Sequence, residues 1–390
     1  MNISLKKVFL LFLGVFSLFS CKNEENTVVE NLSQYVEPRI GTAHCRWFHF
    51  APGAMPFGMA KPAPSTNGSL GNKSGWEATG YDYRDNTIEG FPCLHEFQIG
   101  GISLMPTVGE LLTVPGLPSD TIKMGYRSRF SHENEVVKPG YYSVLLEDYQ
   151  IQAELTATER VAFQRFTFPQ GQEKHILFNI GNRQGESGAV KDAYVVYNQD
   201  GTVEGWVITE PEYVKKYQPG AVVPLYFSAV LDKQPLNYGA YNGNVQQSGV
   251  RESKGVGAGM YFSFASENQE IVTAKIGLSY TSVENARLNL QQEASDLDFD
   301  RAKERAQATW EDYLGRIRVE TECREDKVKF YTGLYHALLG RGLASDVNGA
   351  YPRNDGSVGQ LPMKEGTPLY NIYNTDAAWG AQWNFCLLYT

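Results

Sequence analysis

The side chains best suited to hold a ligand are crowded into residues 39–101. This stretch contains ten glycines, five prolines and nine phenylalanines, tryptophans or tyrosines. Among them stand Trp76, Glu77, Asp82, Arg84, Asp85, His95 and Glu96. Glycine and proline break the chain into turns, and turns on a rigid scaffold are where binding residues collect. Aromatic faces beside carboxylates, an imidazole and a guanidinium suit a ligand with apolar C–H faces and a rim of hydroxyls. A sugar is such a ligand. The same composition also fits a well-packed loop region of a β-domain.

Charge and composition remove other classes. A net charge of −9 offers no basic face for nucleic acid. Histidine is scarce, and neither CxxC nor HExxH spacing occurs, which argues against a zinc site. At the N-terminus Lys6 and Lys7 precede a mostly apolar run over 8–19, then Ser20 and Cys21. A bilayer span takes ~20 apolar residues, so the run reads as a signal-peptide core. A cysteine just after a small residue resembles a bacterial lipoprotein cleavage site, with Cys21 lipidated and the protein held at the outer membrane. A plain secretory signal with an incidental cysteine is the alternative. Residues 22–34 are polar and aperiodic, as a tether would be. The remaining cysteines, Cys45, Cys93, Cys323 and Cys386, allow three pairings, and buried free thiols fit equally well.

The elements that must position the aromatic stretch follow from periodicity. From about Tyr35 to Gln292 apolar residues recur at every second position, as in Tyr142, Val144, Leu146 and again in Ala274, Ile276, Leu278, Tyr280. Turn-rich segments separate these runs, which predicts an antiparallel sandwich. Near Asp296 the period changes. Phe299, Ala302, Ala306, Trp310, Tyr313, Leu314 and Ile317 follow helical spacing, and a second helix carries Val328, Tyr331, Leu334, Tyr335 and Leu338. A third begins near Asp376 and is still running at Thr390, the pattern of an incomplete domain.

These motifs resemble glycoside hydrolase family 92, the calcium-dependent, inverting exo-α-mannosidases. The matching segments include Val36-Glu-Pro-Arg-Ile-Gly-Thr42, Pro52-Gly-Ala-Met-Pro-Phe-Gly-Met59, Gly80-Tyr-Asp-Tyr83 and Gly90-Phe91. Further along come Phe130-Ser-His-Glu133, Glu154-Leu-Thr-Ala-Thr-Glu-Arg160, Phe330-Tyr-Thr-Gly-Leu-Tyr-His336 and Ser345-Asp-Val-Asn-Gly349. The resemblance implies an α+β multidomain fold: an N-terminal antiparallel β-sandwich followed by the start of an (α/α)6 barrel, incomplete here. The expected division is a signal peptide over 1–21, a tether over 22–34, the sandwich over 35–292, a linker helix over 293–320 and the first barrel helices over 321–390.

An inverting glycosidase needs one carboxylic acid to protonate the leaving oxygen and one carboxylate to activate water, ~6.5–9.5 Å apart. The resemblance places both, with most calcium ligands, beyond residue 390, so no catalytic residue is assigned and the fragment is expected to be inactive. It implies that Trp76 lines the mannose pocket and that Asp376 accepts hydrogen bonds from sugar hydroxyls. A core tryptophan and a helix N-cap aspartate are the structural alternatives. His95 and Glu96 fall where the family has a histidine-containing loop near the pocket. Glu77, Asp82 and Asp85 fit structural or sugar-rim roles. The sequence departs from the family at Cys45-Arg-Trp-Phe-His-Phe50, at Pro92-Cys-Leu-His-Glu-Phe97 and at Thr375, all on pocket loops, so glycan and linkage stay open. The implied partner is a mannose-containing glycan, with no protein partner predicted. A non-catalytic carbohydrate-binding lipoprotein is the alternative from another class.

Overall fold

The computed structural model describes residues 30–43, 49–66, 80–96, 99–117, 124–184, 187–265, 267–340 and 342–374. Cys21, Trp76, Glu77 and Asp376 lie outside these residues. Period-two alternation becomes strand because successive side chains leave opposite faces of the pleat. Six strands form one antiparallel sheet in the order β14 (Val245–Ser248), β13 (Asn237–Asn242), β16 (Ala258–Phe264), β9 (Lys174–Asn179), β3 (Ile99–Val108) and β2 (Phe91–Glu96). The second sheet has nine. It runs β15 (Glu252–Lys254), β10 (Ala189–Tyr197), β11 (Val203–Glu210), β12 (Val223–Leu231), β17 (Glu270–Ser279), β8 (Val161–Phe168), β7 (Ile151–Ala157), β6 (Tyr141–Leu146) and β5 (Glu135–Lys138). A short ribbon pairs β1 (Thr87–Ile88) with β4 (Ser128–Arg129).

The two sheets pack face to face through large side chains. Phe91 on β2 meets Phe166 on β8 at 6.0 Å between ring centres, and Tyr197 on β10 meets Phe262 on β16 at 5.1 Å. Gln164, buried on β8, crosses the interface to donate to the Phe91 carbonyl at 2.8 Å. Cys93 is a free, buried thiol, so it forms no bridge to Cys45.

Helices cover the other face of the nine-stranded sheet. A short helix α1 (Glu212–Tyr217) follows β11, and α2 (Val283–Ala294) begins four residues after β17, so the final part of the expected strand region is helical. Ser282 caps α2 by accepting from the Asn285 amide at 3.1 Å. Gly277 on β17 permits the close approach, because a Cβ there would stand 2.4 Å from the Ala286 carbonyl oxygen. Helix α3 (Phe299–Gly315) buries Phe299, Ala302, Ala306, Trp310 and Leu314, the stripe read from the sequence. Asp298 caps it, accepting from the Arg301 amide at 2.8 Å. Helix α4 (Arg324–Leu339) buries Tyr331, Thr332, Tyr335 and Leu339 against it. Residues Leu32–Tyr35 form a 3₁₀ turn whose first amides donate to Glu311 of α3, so the end of the expected tether is docked. This arrangement is the predicted sandwich followed by the opening helices of a helical domain. The third helix expected near Asp376 lies outside the described residues.

Between sandwich and helices runs an irregular strap, residues 50–66, buried at every position except half-buried Phe57. Trp310, fully buried on α3, donates from Nε1 to the Ala54 carbonyl at 2.7 Å and packs on Tyr335 at 4.6 Å. Trp310→Ala should cost ~3–5 kcal/mol, as large-to-small core changes do. Trp310→Phe keeps a ring but strands the Ala54 carbonyl, a loss of about 1–3 kcal/mol. Urea unfolding curves of the two variants check this ordering.

Candidate functional site

Four segments of the sandwich domain have flanks that come together in space. Segments 44–48, 67–79, 97–98 and 185–186 lie outside the described residues, but their flanks touch. Thr66 donates its amide to Gly80 across the base of 67–79, at 2.7 Å. Gln184, just before 185–186, donates to Ser65 Oγ at 2.8 Å, and Ser65 pairs with Gly90. Phe50, just after 44–48, stacks on His95 at 5.3 Å with 15° between planes.

His95 sits on β2, opposite Gly100 of β3, so it belongs to a strand rather than to the loop expected from sequence. It is 1% exposed. Neither ring nitrogen makes a hydrogen bond, although the backbone of Lys61 and Pro64 lies alongside and favours the charged form. Burial dominates and pulls its pKa down to about 3, so the imidazole is neutral. Leaving a buried polar group unpaired is costly. His95 is thus neutral and fully enclosed, with the Phe50 ring stacked on it. Glu96 ends the same strand; its side chain is not among the described parts, and Trp76 and Asp376 lie outside them.

The acids around the loop roots act as braces. Asp82 accepts the Arg84 amide at 2.9 Å and pairs with its guanidinium. Asp85 accepts the Thr66 hydroxyl at 2.7 Å, and burial raises its pKa. Two further clusters escaped the sequence reading. In the first, Glu89 and Arg127 form a buried ion pair at 2.6 Å, with the Ser65 hydroxyl donating to the other carboxylate oxygen at 2.8 Å. In the second, the fully buried Glu135 carboxylate accepts from the Tyr142 hydroxyl at 2.8 Å, the Tyr81 hydroxyl at 3.1 Å and His132 Nδ1 at 2.8 Å.

His132 completes this second cluster by reaching back to the chain that carries the pocket loop. Its Nε2 lies 2.6 Å from the Tyr83 carbonyl oxygen, and its ring stacks on Tyr83 at 4.0 Å. A carboxylate already receiving two tyrosine protons and a backbone carbonyl both only accept. Both ring nitrogens must therefore carry hydrogen, and His132 is an imidazolium. The motifs Gly80-Tyr-Asp-Tyr83 and Phe130-Ser-His-Glu133, far apart in sequence, meet in this lock. That recurrence of tyrosines near a histidine was the available signal.

Metal chemistry finds no support in these groups. Calcium takes 6–8 oxygen ligands, carboxylates foremost. Among the described residues no three His, Cys, Asp or Glu side chains gather so as to hold a metal ion.

Two outcomes test the braces. Burial pulls the pKa of His132 down, but the hydrogen bond and charge of Glu135, with the Tyr83 carbonyl, raise it above the ordinary value. The stabilisation is complete below about pH 6.5, the ordinary histidine pKa, and is lost as pH rises through the higher folded value. The melting-temperature gap between wild type and His132→Asn should therefore shrink from about pH 6 to about pH 9. Arg127→Met removes the counter-charge of the buried Glu89 carboxylate, which should cost ~3–5 kcal/mol in chemical denaturation.

Comparison with known proteins places the chain. The glycosyl hydrolase family 92 N-terminal domain matches residues 35–279, and the glycosyl hydrolase family 92 catalytic domain matches residues 285–390. Among solved structures, the chain is similar to a family 92 α-mannosidase from Bacteroides thetaiotaomicron in complex with mannoimidazole. Identity is 27%, the TM-score 0.80, and the match covers 90% of this chain and 45% of that one. A family 92 inverting mannosidase from Bacteroides thetaiotaomicron VPI-5482 shares the fold at 23% identity and a TM-score of 0.71, over 90% of this chain and 45% of that one. An uncharacterized secreted glycosidase of Arthroderma benhamiae is 26% identical over 337 residues, 78% of this chain and 41% of that protein. The chain thus spans less than half the length of these relatives. With both domains matched in succession along a sandwich and the helices that follow it, the chain belongs to glycosyl hydrolase family 92.

Proposed function

We propose that the protein carrying this chain, at a length like that of its relatives, is an inverting exo-α-mannosidase that trims mannose from glycans, with α-1,2 linkages as the first substrate class. The observation that carries this is the likeness, across 90% of the chain, to an α-mannosidase in complex with mannoimidazole. The convergence of the loop roots supports it: Trp76 and Glu96 belong to segments anchored beside Phe50, Ser65 and His95. In this reading Trp76 offers an aromatic face to sugar C–H groups, and Asp376 and Glu96 accept from hydroxyls. His95, neutral and buried on β2, supports the pocket from behind, with Phe50 stacked on its ring.

The general acid and general base are placed outside the described residues. Asp82 and Asp85 are already engaged by Arg84 and Thr66, which suits bracing rather than proton transfer. Calcium, implied by the family resemblance, is likewise assigned to ligands outside the described residues. For location we propose export and attachment through a lipid on Cys21, at the outer membrane; the fungal relative's description as secreted supports export. Among the described residues no helix is long and apolar enough to cross a membrane.

The test is hydrolysis of α-1,2-mannobiose with calcium. The 390-residue chain alone should release no mannose, and a protein of the relatives' length should. In that longer protein Trp76→Ala should lower kcat/KM at least about tenfold, the equivalent of ~1.4 kcal/mol, with the melting temperature held. Failure of the longer protein to cleave any α-mannoside would overturn the reading.

A further inference from the structure

A cleft of about 440 Å³ opens where the strap, the turn between β7 and β8, helix α3 and the segment after α4 meet. Its volume lies within the range of ~300–1,000 Å³ typical of small-ligand sites. None of its lining residues is among the site residues named above. Three aromatic rings form one wall. Phe57 meets Tyr313 edge to face at 5.7 Å and Tyr373 at 5.8 Å, and Tyr373 is 40% exposed. The opposite side is polar. Arg160 and Glu293 form a buried ion pair at 2.8 Å, and Glu159 and Arg305 form an exposed pair at 3.2 Å.

The backbone is bent to put Phe57 in that wall. Its φ of 57° lies in the left-handed region, which bulky residues rarely adopt. The conformation is held from both sides: the Phe57 amide donates to the Leu338 carbonyl at 2.9 Å, and its carbonyl accepts from the Leu343 amide at 2.8 Å. Strain of this kind, over-determined by its surroundings, gathers at ligand sites. The exposed Glu159–Arg305 pair supplies an acceptor beside donors on one rim, a match for the adjacent hydroxyls of a pyranose. The aromatic wall matches its C–H face. The lining charges are paired with each other, so the cleft favours a neutral ligand over one of either sign.

We propose that this cleft is a saccharide-binding site for a neutral pyranoside of one or two rings. It rests on the glycosidase reading only for the choice of probe.

The experiment titrates the 390-residue chain with α-1,2-mannobiose, followed by saturation-transfer NMR and calorimetry. Wild type should bind saturably. Tyr373→Ala and Phe57→Gly should each weaken binding at least about tenfold. Glycine accepts the positive φ at position 57, so Phe57→Gly should fold, and Glu159→Gln is a rim variant that removes no packing. The cleft assignment fails if no saturable binding occurs. It also fails if Trp76→Ala abolishes binding while the three cleft variants match wild type, a result that would leave the mannoside reading standing.

Discussion

The structure depends on burying an irregular piece of backbone. Residues 50–66 have neither helix nor strand to satisfy their amides and carbonyls, yet they lie between the sandwich and the helices. Buried peptide groups must find partners, and here they find them in both layers. Gly53 donates to Pro62 within the strap, Phe57 to Leu338 at the end of α4, and Met59 to Glu159 in the turn before β8. Lys61 donates to Cys93 and Ala63 to Pro92 on β2, while Trp310 donates to Ala54 from α3. Only glycine fits at position 53, where a Cβ would stand 2.3 Å from the Leu155 carbonyl oxygen on β7. The strap thus staples two layers that otherwise meet through side chains.

Its two ends lead into segments outside the described residues, 44–48 and 67–79. One end emerges at Phe50 beside His95 and the other at Thr66 beside Gly80. The described roots of these segments are held by paired charges. The Glu89–Arg127 pair, the Asp82–Arg84 pair and the His132–Glu135 lock all bind the chain within a few residues of such a root. Buried charges are an expensive way to add stability, but they are directional, and direction is what a loop anchor needs. At the domain junction Asp346 does comparable work. Its carboxylate accepts from Ser279, Thr281 and Asn289, tying the Ser345-Asp-Val-Asn-Gly349 segment to the last strand and to α2.

Alternation made the strands legible, as in β6, where Tyr142, Val144 and Leu146 are all buried. The stripe of α3 was equally plain, because Trp310 and its neighbours face one core. Helix α2 was hidden for a physical reason. Its buried face runs Ala286, Asn289, Leu290, Ala294, and the asparagine breaks the apolar stripe because it serves the Leu278 carbonyl and Asp346. The aromatic stretch was read as pocket or packing, and its described part is mostly packing: Phe50, Tyr81 and Phe91 are core. Composition does not separate a buried strap from a binding loop, since both need turns and aromatics. Asp82 and Asp85 were read as structural or sugar-rim residues, but their partners Arg84 and Thr66 follow from turn geometry, which no spacing rule reveals. His95 was expected in a loop but lies on β2, because a proline and a cysteine before it obscured the strand.

The most direct measurement is native-state hydrogen exchange along the strap. If the strap is stapled to both layers, the amides of Phe57, Met59, Lys61 and Ser65 should open only with global unfolding. Their protection should then equal that of the central strand β8. Exchange of these four amides at the rate of an exposed turn such as Gly220 would contradict the account, because the layers would then be held together without it.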